Sequence, residues 1–207
     1  QTAEVIFSSE LLNVENARTD ILPQHDILIL HNIPNRISPV PSSISEAIVS
    51  DTPIFFIGGA ISDLSQLPIE RTGVVIEDSD LLETVEGVPN PGFSLFSTPE
   101  AMASHLMTWA PVNTIFGEVK ASGSLEVLLY QTLGALKTQW PLWAFNKDAA
   151  GRRSGIFLGD GIWRWRMENF LRDENFDVFD DLINGSIQYL VSRDDIRRFR
   201  VETHGHK

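Results

Sequence analysis

The chain has 207 residues, a formal net charge of −12 and no cysteine. This length fits one domain, which can bury a substantial core without a disulfide or a metal. The lack of cysteine excludes thiolate nucleophiles, thiolate zinc sites and redox CxxC motifs. The negative charge would repel a phosphate backbone, so nucleic acid is not an expected partner.

The first half contains three short apolar runs, at 5–7, 26–31 and 53–57. We predict a strand for each, and the last two are apolar enough to be buried on both faces, as in a parallel sheet. Between them, Ser43 and Glu46 match a capping box, which predicts a helix that ends near Ser50. Strands separated by a helix favour right-handed crossovers and a doubly wound, mainly parallel sheet.

The middle of the chain is less regular. Val74–Ile76 is a candidate short strand. Thr98 followed by a proline predicts the start of a helix that reaches about Trp109 and stops at Pro111. Three further strands are predicted at 125–130, 142–145 and 154–158, and a hairpin around Gly151 joins the last two.

Two helices are predicted to close the domain, one over 162–172 and one from about Asn175, where apolar residues recur at helical spacing. A last strand is predicted at 198–201. We therefore expect a single domain over 1–201 and an exit segment over 202–207. Because the chain begins with Gln1, we expect it to be part of a longer protein. The basic residues near its end are interpreted as a solvated segment.

The candidate site lies where ligands bind in open α/β sheets, beyond the carboxyl ends of the strands. Its residues come from three strand ends and from the helix that follows the last of them: His31, Asn32, Gly58, Gly59, Asp160, Trp163, Arg164, Trp165 and Arg166. No residue is assigned a catalytic role. We predict no metal and no cofactor, because HExxH and phosphate-loop motifs are absent from the sequence.

Gly58 and Gly59 follow a strand where a nucleophile elbow would stand, but no serine or cysteine occupies the tip. A glycine turn without chemistry is therefore favoured, with a phosphate cradle as the weaker alternative. Ser62 lies beyond the turn and outside any GxSxG context. For Asp160 a helix N-cap is favoured over a general base, and for His31 a structural role is favoured over a catalytic base.

The segment Trp163-Arg164-Trp165-Arg166 is the most unusual local sequence. In a strand or in a helix, an arginine could lie on an indole ring in a cation–π contact. An arginine could also pair with Glu168 or Asp173. Structural packing of aromatic and arginine side chains is favoured over a pocket for a carboxylate or a sugar.

Three stretches, 26–34, 52–59 and 155–166, give the chain a resemblance to the class I glutamine-amidotransferase-like domains of bacterial membrane-anchored proteins with von Willebrand factor A or immunoglobulin-like modules. The resemblance implies an α/β, flavodoxin-like three-layer sandwich with a mainly parallel sheet. Active members carry a cysteine at the elbow and a histidine after a later strand. Here Gly58, Gly59 and Asp160 stand in those regions, so the resemblance implies the fold but not the glutaminase mechanism.

The resemblance further implies a noncatalytic structural or protein-interaction module of a larger cell-envelope protein. It would face the periplasm, or the extracytoplasmic side of the inner membrane, and bind neighbouring domains or other envelope proteins. No stretch approaches the ~20 apolar residues of a membrane span, so we expect no direct membrane insertion. One alternative is a hydrolase with a non-cysteine mechanism that uses His31, Asp160 and the arginines. Another is a small-ligand or glycan-binding domain that uses Trp163 or Trp165, which requires an exposed indole.

Overall fold

A computed structural model of the protein describes residues 7–76, 81–115, 117–122 and 125–192. In chain order its elements are β1 (Leu28–His31), α1 (Ser42–Val49), β2 (Ile54–Ile57), α2 (Ile69–Thr72), β3 (Val74–Ile76), β4 (Leu82–Pro89), α3 (Met102–Leu106), β5 (Val112–Ile115), β6 (Val119–Ala121), β7 (Glu126–Leu133), β8 (Leu136–Lys147), β9 (Arg153–Phe157), α4 (Trp163–Asp173) and α5 (Asp177–Val191). Short 3-10 helices occur at Val14–Asn16, Leu22–Gln24 and Leu64–Gln66.

The main sheet has seven strands in the order β1-β2-β9-β8-β7-β4-β5. Only the pairs β1–β2 and β2–β9 are parallel, while the remaining pairs are antiparallel. A separate two-stranded antiparallel sheet pairs β3 with β6. The chain is therefore an α/β domain with a mixed sheet flanked by helices, and the prediction of a mainly parallel sheet was wrong.

Short connections explain two of the antiparallel pairs, β7–β8 and β8–β9. The strands β7 and β8 are separated only by Gly134 and Ala135, and Gly134 adopts a positive φ of 55°. The turn between β8 and β9 contains Gly151 at φ 84°, whose backbone N–H donates to the Asp148 carbonyl. Parallel neighbours need a long crossover, so connections this short impose antiparallel pairing. The predicted hairpin around Gly151 is confirmed.

The capping predictions were wrong in detail. Helix α1 begins at Ser42 with Pro41 in the N-cap position, and no side chain caps it. Ser43 lies inside the helix, where its buried hydroxyl donates to the Ala17 carbonyl at 2.7 Å and ties down the preceding segment. Helix α3 begins at Met102, also without a side-chain cap, and ends at Leu106. It is therefore shorter than the helix predicted from Thr98.

Two apolar clusters fill the space on either side of the sheet. Neighbouring residues of β2 show the alternation, because Phe56 packs into one cluster and Phe55 into the other. Helix α1 contributes to the first cluster, and α3, α4 and α5 contribute to the second. At Gly155 of β9 an added Cβ would lie 2.8 Å from the Phe55 ring and 3.2 Å from Leu190 of α5. Glycine there lets the last helix approach the sheet closely.

Some predictions concern residues outside the described ranges. They include most of the first strand predicted at 5–7, the strand predicted at 198–201, the basic residues near the C-terminus and the exit segment 202–207. Phe7, the described part of the first run, is not in a strand. The single-domain boundary at 201 stays a prediction.

Candidate functional site

The parallel strands bring the first two predicted strand ends together. His31 of β1 is in register with Ile57 of β2, which is in register with Phe157 of β9. Beyond the strands, the Asn32 N–H donates to the Ile57 carbonyl at 2.9 Å, and the Gly58 N–H donates to the Phe157 carbonyl at 2.8 Å. The carboxyl ends therefore lie side by side, where ligands bind in this class of sheet.

Polar side chains join the β1 and β2 ends directly. The Ser62 hydroxyl donates to the Asn32 side-chain oxygen at 2.9 Å, and the Gly59 N–H donates to the Ser62 hydroxyl at 2.9 Å. The Asn32 amide lies 3.3 Å from Nε2 of the exposed His31. Asn32 has a φ of 56°, in the left-handed region that asparagine tolerates better than most residues. We call Asn32, Gly59 and Ser62 the strand-end knot.

The strand-end knot leaves no room for a side chain at position 59. A Cβ added to Gly59 would lie 2.2 Å from the Asn32 side-chain oxygen, a distance that real contacts do not allow. Ser62 is only 1% exposed, and its hydroxyl is engaged on both sides. A catalytic serine needs a free hydroxyl beside a base, so the geometry gives Ser62 a structural role.

Asp160 is not a helix cap. Helix α4 begins at Trp163 with Ile162 in the N-cap position, and no side chain caps it. Asp160 instead exchanges two backbone hydrogen bonds with Asn113 of β5, at 2.7 and 3.3 Å. The expectation that it caps the helix was wrong, because the chain after β9 continues as an extended segment before it turns at Gly161, which has a φ of 93°.

The segment Trp163-Arg164-Trp165-Arg166 forms the first turn of α4, and its inward-facing side chains bind the chain that precedes β5. The Trp165 indole N–H donates to the Ala110 carbonyl at 2.8 Å, and Arg164 donates to the Pro111 carbonyl at 2.8 Å. Glu168 accepts a hydrogen bond from the Ala110 N–H. The buried Trp165 ring also stacks on Trp109, with ring centroids 5.2 Å apart. These contacts fit the structural packing that the sequence favours.

Arg166 has partners other than the predicted ones. Its guanidinium makes two hydrogen bonds to Asp180 of α5, at 2.8 and 3.1 Å, rather than to Glu168 or Asp173. It lies 3.7 Å from the centroid of the Phe176 ring, so the cation–π contact is to a phenylalanine and not to an indole. The hydrogen bonds that Arg166 donates to Asp180 raise the pKa of Arg166.

The predicted pocket residues thus divide into separate groups. His31 contacts Asn32 of the strand-end knot, and Asp160 contacts β5. Arg164 contacts a backbone carbonyl, and Arg166 contacts Asp180. Among these described residues, no hydrogen bond or ion pair joins His31 to Asp160 or to either arginine. The hydrolase alternative needs such convergence, so this geometry gives it no support.

A cavity that sequence reasoning missed lies at the opposite ends of the same strands. It measures about 530 Å³ and is lined by charged residues that include Asp26, Asp51, Arg152 and Arg153. Arg152 is held by Asp148 at 2.7 Å. Arg153 donates to the Tyr189 carbonyl and lies over the Tyr189 ring. The cavity lies at the amino ends of β1, β2 and β9, whereas sequence reasoning expects ligand sites in open α/β sheets beyond the carboxyl ends.

Arg71 is a buried cation near this cavity. It is 2% exposed, and its one hydrogen bond among the described residues goes to the Thr52 carbonyl at 2.8 Å, while Nε and Nη1 have no partner. Burial lowers the pKa of Arg71 and the positive charge of Arg152 lowers it further, while Asp148 and Asp51 oppose that shift. Leaving donors unsatisfied in the interior is costly.

The outward side of α4 is apolar, a feature that sequence reasoning also missed. Trp163, Met167, Phe170 and Leu171 are 66%, 48%, 41% and 80% exposed. We call these four side chains the α4 stripe. Their spacing of four, seven and eight residues from Trp163 places them on one face of the helix, and this spacing is the signal that could have revealed them. Phe170 also stacks on Phe176, with centroids 5.0 Å apart.

None of the helices described is long and apolar enough to cross a membrane. No group of three histidine, aspartate or glutamate residues within the described ranges is placed to hold a metal ion.

Comparisons with known proteins give little beyond this geometry. No family model matches the chain, and no curated protein matches it. Among solved structures, the chain is similar to the "mmIFT52 N-terminal domain", with 12% sequence identity and a TM-score of 0.49 over 86% of this chain and 82% of that chain. A likeness at this level carries no argument about family or function.

Proposed function

We propose that this chain is a noncatalytic protein-interaction module, built on an amidotransferase-like, flavodoxin-like frame, that presents helix α4 to its partner. It would belong to a larger cell-envelope protein, face the periplasm or the extracytoplasmic side of the inner membrane, and bind neighbouring domains or other envelope proteins. Nucleic acid is not among the proposed partners, because the net charge of −12 opposes it.

The observation that carries the proposal is the α4 stripe. Isolated apolar side chains are common on protein surfaces, but a contiguous exposed group is typical of interaction sites. The stripe includes an indole and a phenyl ring, and aromatic residues are enriched where proteins meet. Since the inward side of α4 is fixed by Trp165 and Glu168, the helix presents this surface on a rigid support.

The strand-end knot supports the noncatalytic part of the proposal. Amidotransferases need a nucleophile on the turn after this strand, and position 59 has no space for any side chain beside Asn32. The chain also contains no cysteine. The strand ends are therefore used for packing, and α4 offers the accessible surface.

Site-specific photo-crosslinking tests the interaction role. A photoreactive phenylalanine analogue is placed at Leu171 of the full natural protein in its source cells, and at Ile37 as a control, since Ile37 is 73% exposed but lies before α1. We expect a discrete adduct from position 171 and none from position 37. Equal labelling at both positions, or no adduct at 171, would contradict the proposal. Ammonia release from glutamine by the purified domain would contradict its noncatalytic part.

A second candidate function is glycan binding, and the exposed Trp163 indole is the observation that favours it. A single indole can stack on a sugar ring, whereas a protein partner would use the whole α4 stripe. Titration with oligosaccharides, followed by tryptophan fluorescence, separates the two. Saturable quenching that is lost in Trp163→Ala but kept in Leu171→Ser would favour the glycan, and no quenching would exclude it for the sugars tested.

A further inference from the structure

The α4 stripe is nearly symmetric about its central residue. Trp163 lies four residues before Met167, and Leu171 lies four residues after it, with Phe170 beside Leu171. At 1.5 Å per residue the stripe is roughly 12 Å long. A stripe of this kind can pack against a copy of itself that runs in the opposite direction, because the large side chains at the two ends then exchange positions around Met167.

The charges of α4 are also arranged for an antiparallel partner. Its first turn contains Arg164 and Arg166 and no acidic residue, whereas Asp173 and Glu174 lie at its end. Arg166 is already paired with Asp180, and Asp173 with His105. The charges left for a partner are therefore Arg164, which donates to backbone carbonyls, and Glu174. A helix dipole favours the reverse arrangement, with acidic residues first and basic residues last. Arg172, in the last turn, follows the favoured pattern and is held by the Ser104 carbonyl.

Glu174 is the clearest unpaired charge at this end. It is exposed, has a φ of 57° as the C-cap residue, and its carboxylate has no hydrogen bond or ion pair among the described residues. It lies three residues after Leu171, directly beyond the last residue of α4. In an antiparallel arrangement this carboxylate approaches Arg164 of the other helix, which would offset the unfavourable interaction with its own helix dipole.

We propose that the partner of the α4 stripe is a second copy of this chain, and that two α4 helices pack antiparallel across a two-fold axis at Met167. This inference rests on the proposed interaction function and specifies its partner. A two-fold interface uses the same patch on both copies. Trp163 of one copy then contacts Leu171 and Phe170 of the other, and Arg164 of each copy lies near Glu174 of the other.

The expected affinity is modest. The apolar contact consists of one helix face from each copy, which belongs to the small class of interfaces. Two bodies that each carry a charge of −12 also repel one another. We therefore expect a dissociation constant of about 1–100 μM. Sedimentation velocity from 1 to 300 μM, roughly spanning this range, should show the mass rise from 23.1 kDa toward twice that value.

Paired variants at Met167 test the two-fold geometry. Met167→Glu and Met167→Lys each place two like charges together at the axis, so each variant alone should stay monomeric, with a dissociation constant raised at least ~10-fold. An equimolar mixture should regain the dimer, because Glu then faces Lys. Ile37→Glu adds the same charge elsewhere and should associate like the natural chain. Circular dichroism and thermal unfolding check that each variant is folded.

A thiol provides a direct measure of proximity, because the natural chain has no cysteine to interfere. Met167→Cys should form a disulfide-linked dimer on mild oxidation, since residues at the axis of two packed helices come within the ~4.4–6.8 Å Cα separation that a disulfide needs. Ile37→Cys should crosslink far less.

A natural chain that is monomeric at 300 μM, or a dimer that Met167→Glu leaves intact, would overturn the inference. In either case an adduct from Leu171 with a different protein would still support the interaction function. If Leu171 gives no adduct either, the proposed function also fails.

Discussion

At the scale of single residues, Gly59 is the glycine whose surroundings leave the least space for a side chain among those of the described residues. Its Cα faces the Asn32 amide, and Ser62 completes the strand-end knot. The sequence shows two glycines after a strand, which indicates a tight turn. It does not show that Asn32, 27 positions earlier, fills the space where a side chain would stand.

Gly59→Ala should therefore be destabilising. The added methyl collides with the Asn32 side chain, and we expect the free energy of unfolding to fall by about 1–3 kcal/mol, measured by urea denaturation. Asn32→Gly removes the obstacle and tolerates the φ of 56°. The double variant should consequently be more stable than the sum of the two single effects predicts. Strict additivity would show that the two residues do not compete for the same space.

At the scale of elements, α4 has two sides with different tasks. The segment Trp163-Arg164-Trp165-Arg166 alternates along the sequence, but a helix turns successive residues by about 100°. Trp165 therefore enters the core while Trp163 points away from it. From the sequence alone either indole could be the buried one, because each is flanked by an arginine.

The two tryptophans offer a matched comparison. Trp165→Ala should lower the free energy of unfolding by about 3–5 kcal/mol, because it removes a buried ring that stacks on Trp109. Trp165→Phe keeps much of the packing but leaves the Ala110 carbonyl without its donor, which should cost about 1–3 kcal/mol. Trp163→Ala should change the stability by less than about 0.5 kcal/mol. Denaturant unfolding of the three variants provides the measurement, and equal effects at 163 and 165 would contradict the assignment.

How much of the fold was predictable also depends on the element. The strands β1, β2 and β9 were predicted from short apolar runs. The first three residues of β2 are buried, but the expectation that β1 is buried on both faces was wrong, because β1 is an edge strand and Ile29 is 49% exposed. The strand β4 was missed because Glu83, Thr84 and Glu86 interrupt its apolar residues, and because Gly87 lies where Leu129 approaches closely. The strands β5 and β6 were missed because Asn113, Thr114 and Lys120 interrupt their short apolar runs.

The candidate site was predictable only in part. Adjacent strand ends follow from parallel pairing, so the proximity of Asn32 to Gly59 could be anticipated. The separation of Asp160 and Arg166 from these strand ends could not be anticipated. The Asn113–Asp160 contact and the Arg166–Asp180 pair join residues that are distant in the sequence. The α4 stripe was not predicted, because α4 also has a buried face. The sequence does not show which of the two faces packs against α3 and α5.

At the scale of the whole molecule, Asp148 links the antiparallel half of the sheet to the first helix. Its largely buried carboxylate accepts hydrogen bonds from the backbone of Ala150 and Arg152 and from the Arg152 side chain. Arg152 then donates to the Val49 carbonyl at the end of α1. Burial alone would raise the pKa of Asp148, but the hydrogen bonds and charge of Arg152 outweigh it, and the pKa is lowered.

The lowered pKa of Asp148 makes the stability of the fold depend on pH in a definite direction. A carboxyl group with a lowered pKa in the folded state stabilises the fold above its unfolded value of about 3.9, and that contribution is lost as the pH falls through the folded value. Asp148→Asn should therefore lower the free energy of unfolding at pH 7 by about 1–3 kcal/mol, and the difference from the natural chain should shrink below about pH 4. Urea denaturation across pH measures both. Asp20→Asn, in the exposed pair with Arg18, should have almost no effect at either pH.

The backbone exchange between Asn113 and Asp160 has a consequence for how the molecule meets others. The strand β5 is the last of the seven, yet Asp160, three residues beyond β9, bonds to its backbone at Asn113. At this point the chain covers that margin of the sheet itself. An open margin is a template onto which another polypeptide can add a strand. Contacts made at the β5 margin should accordingly depend on side chains that a single substitution can remove, rather than on an added strand.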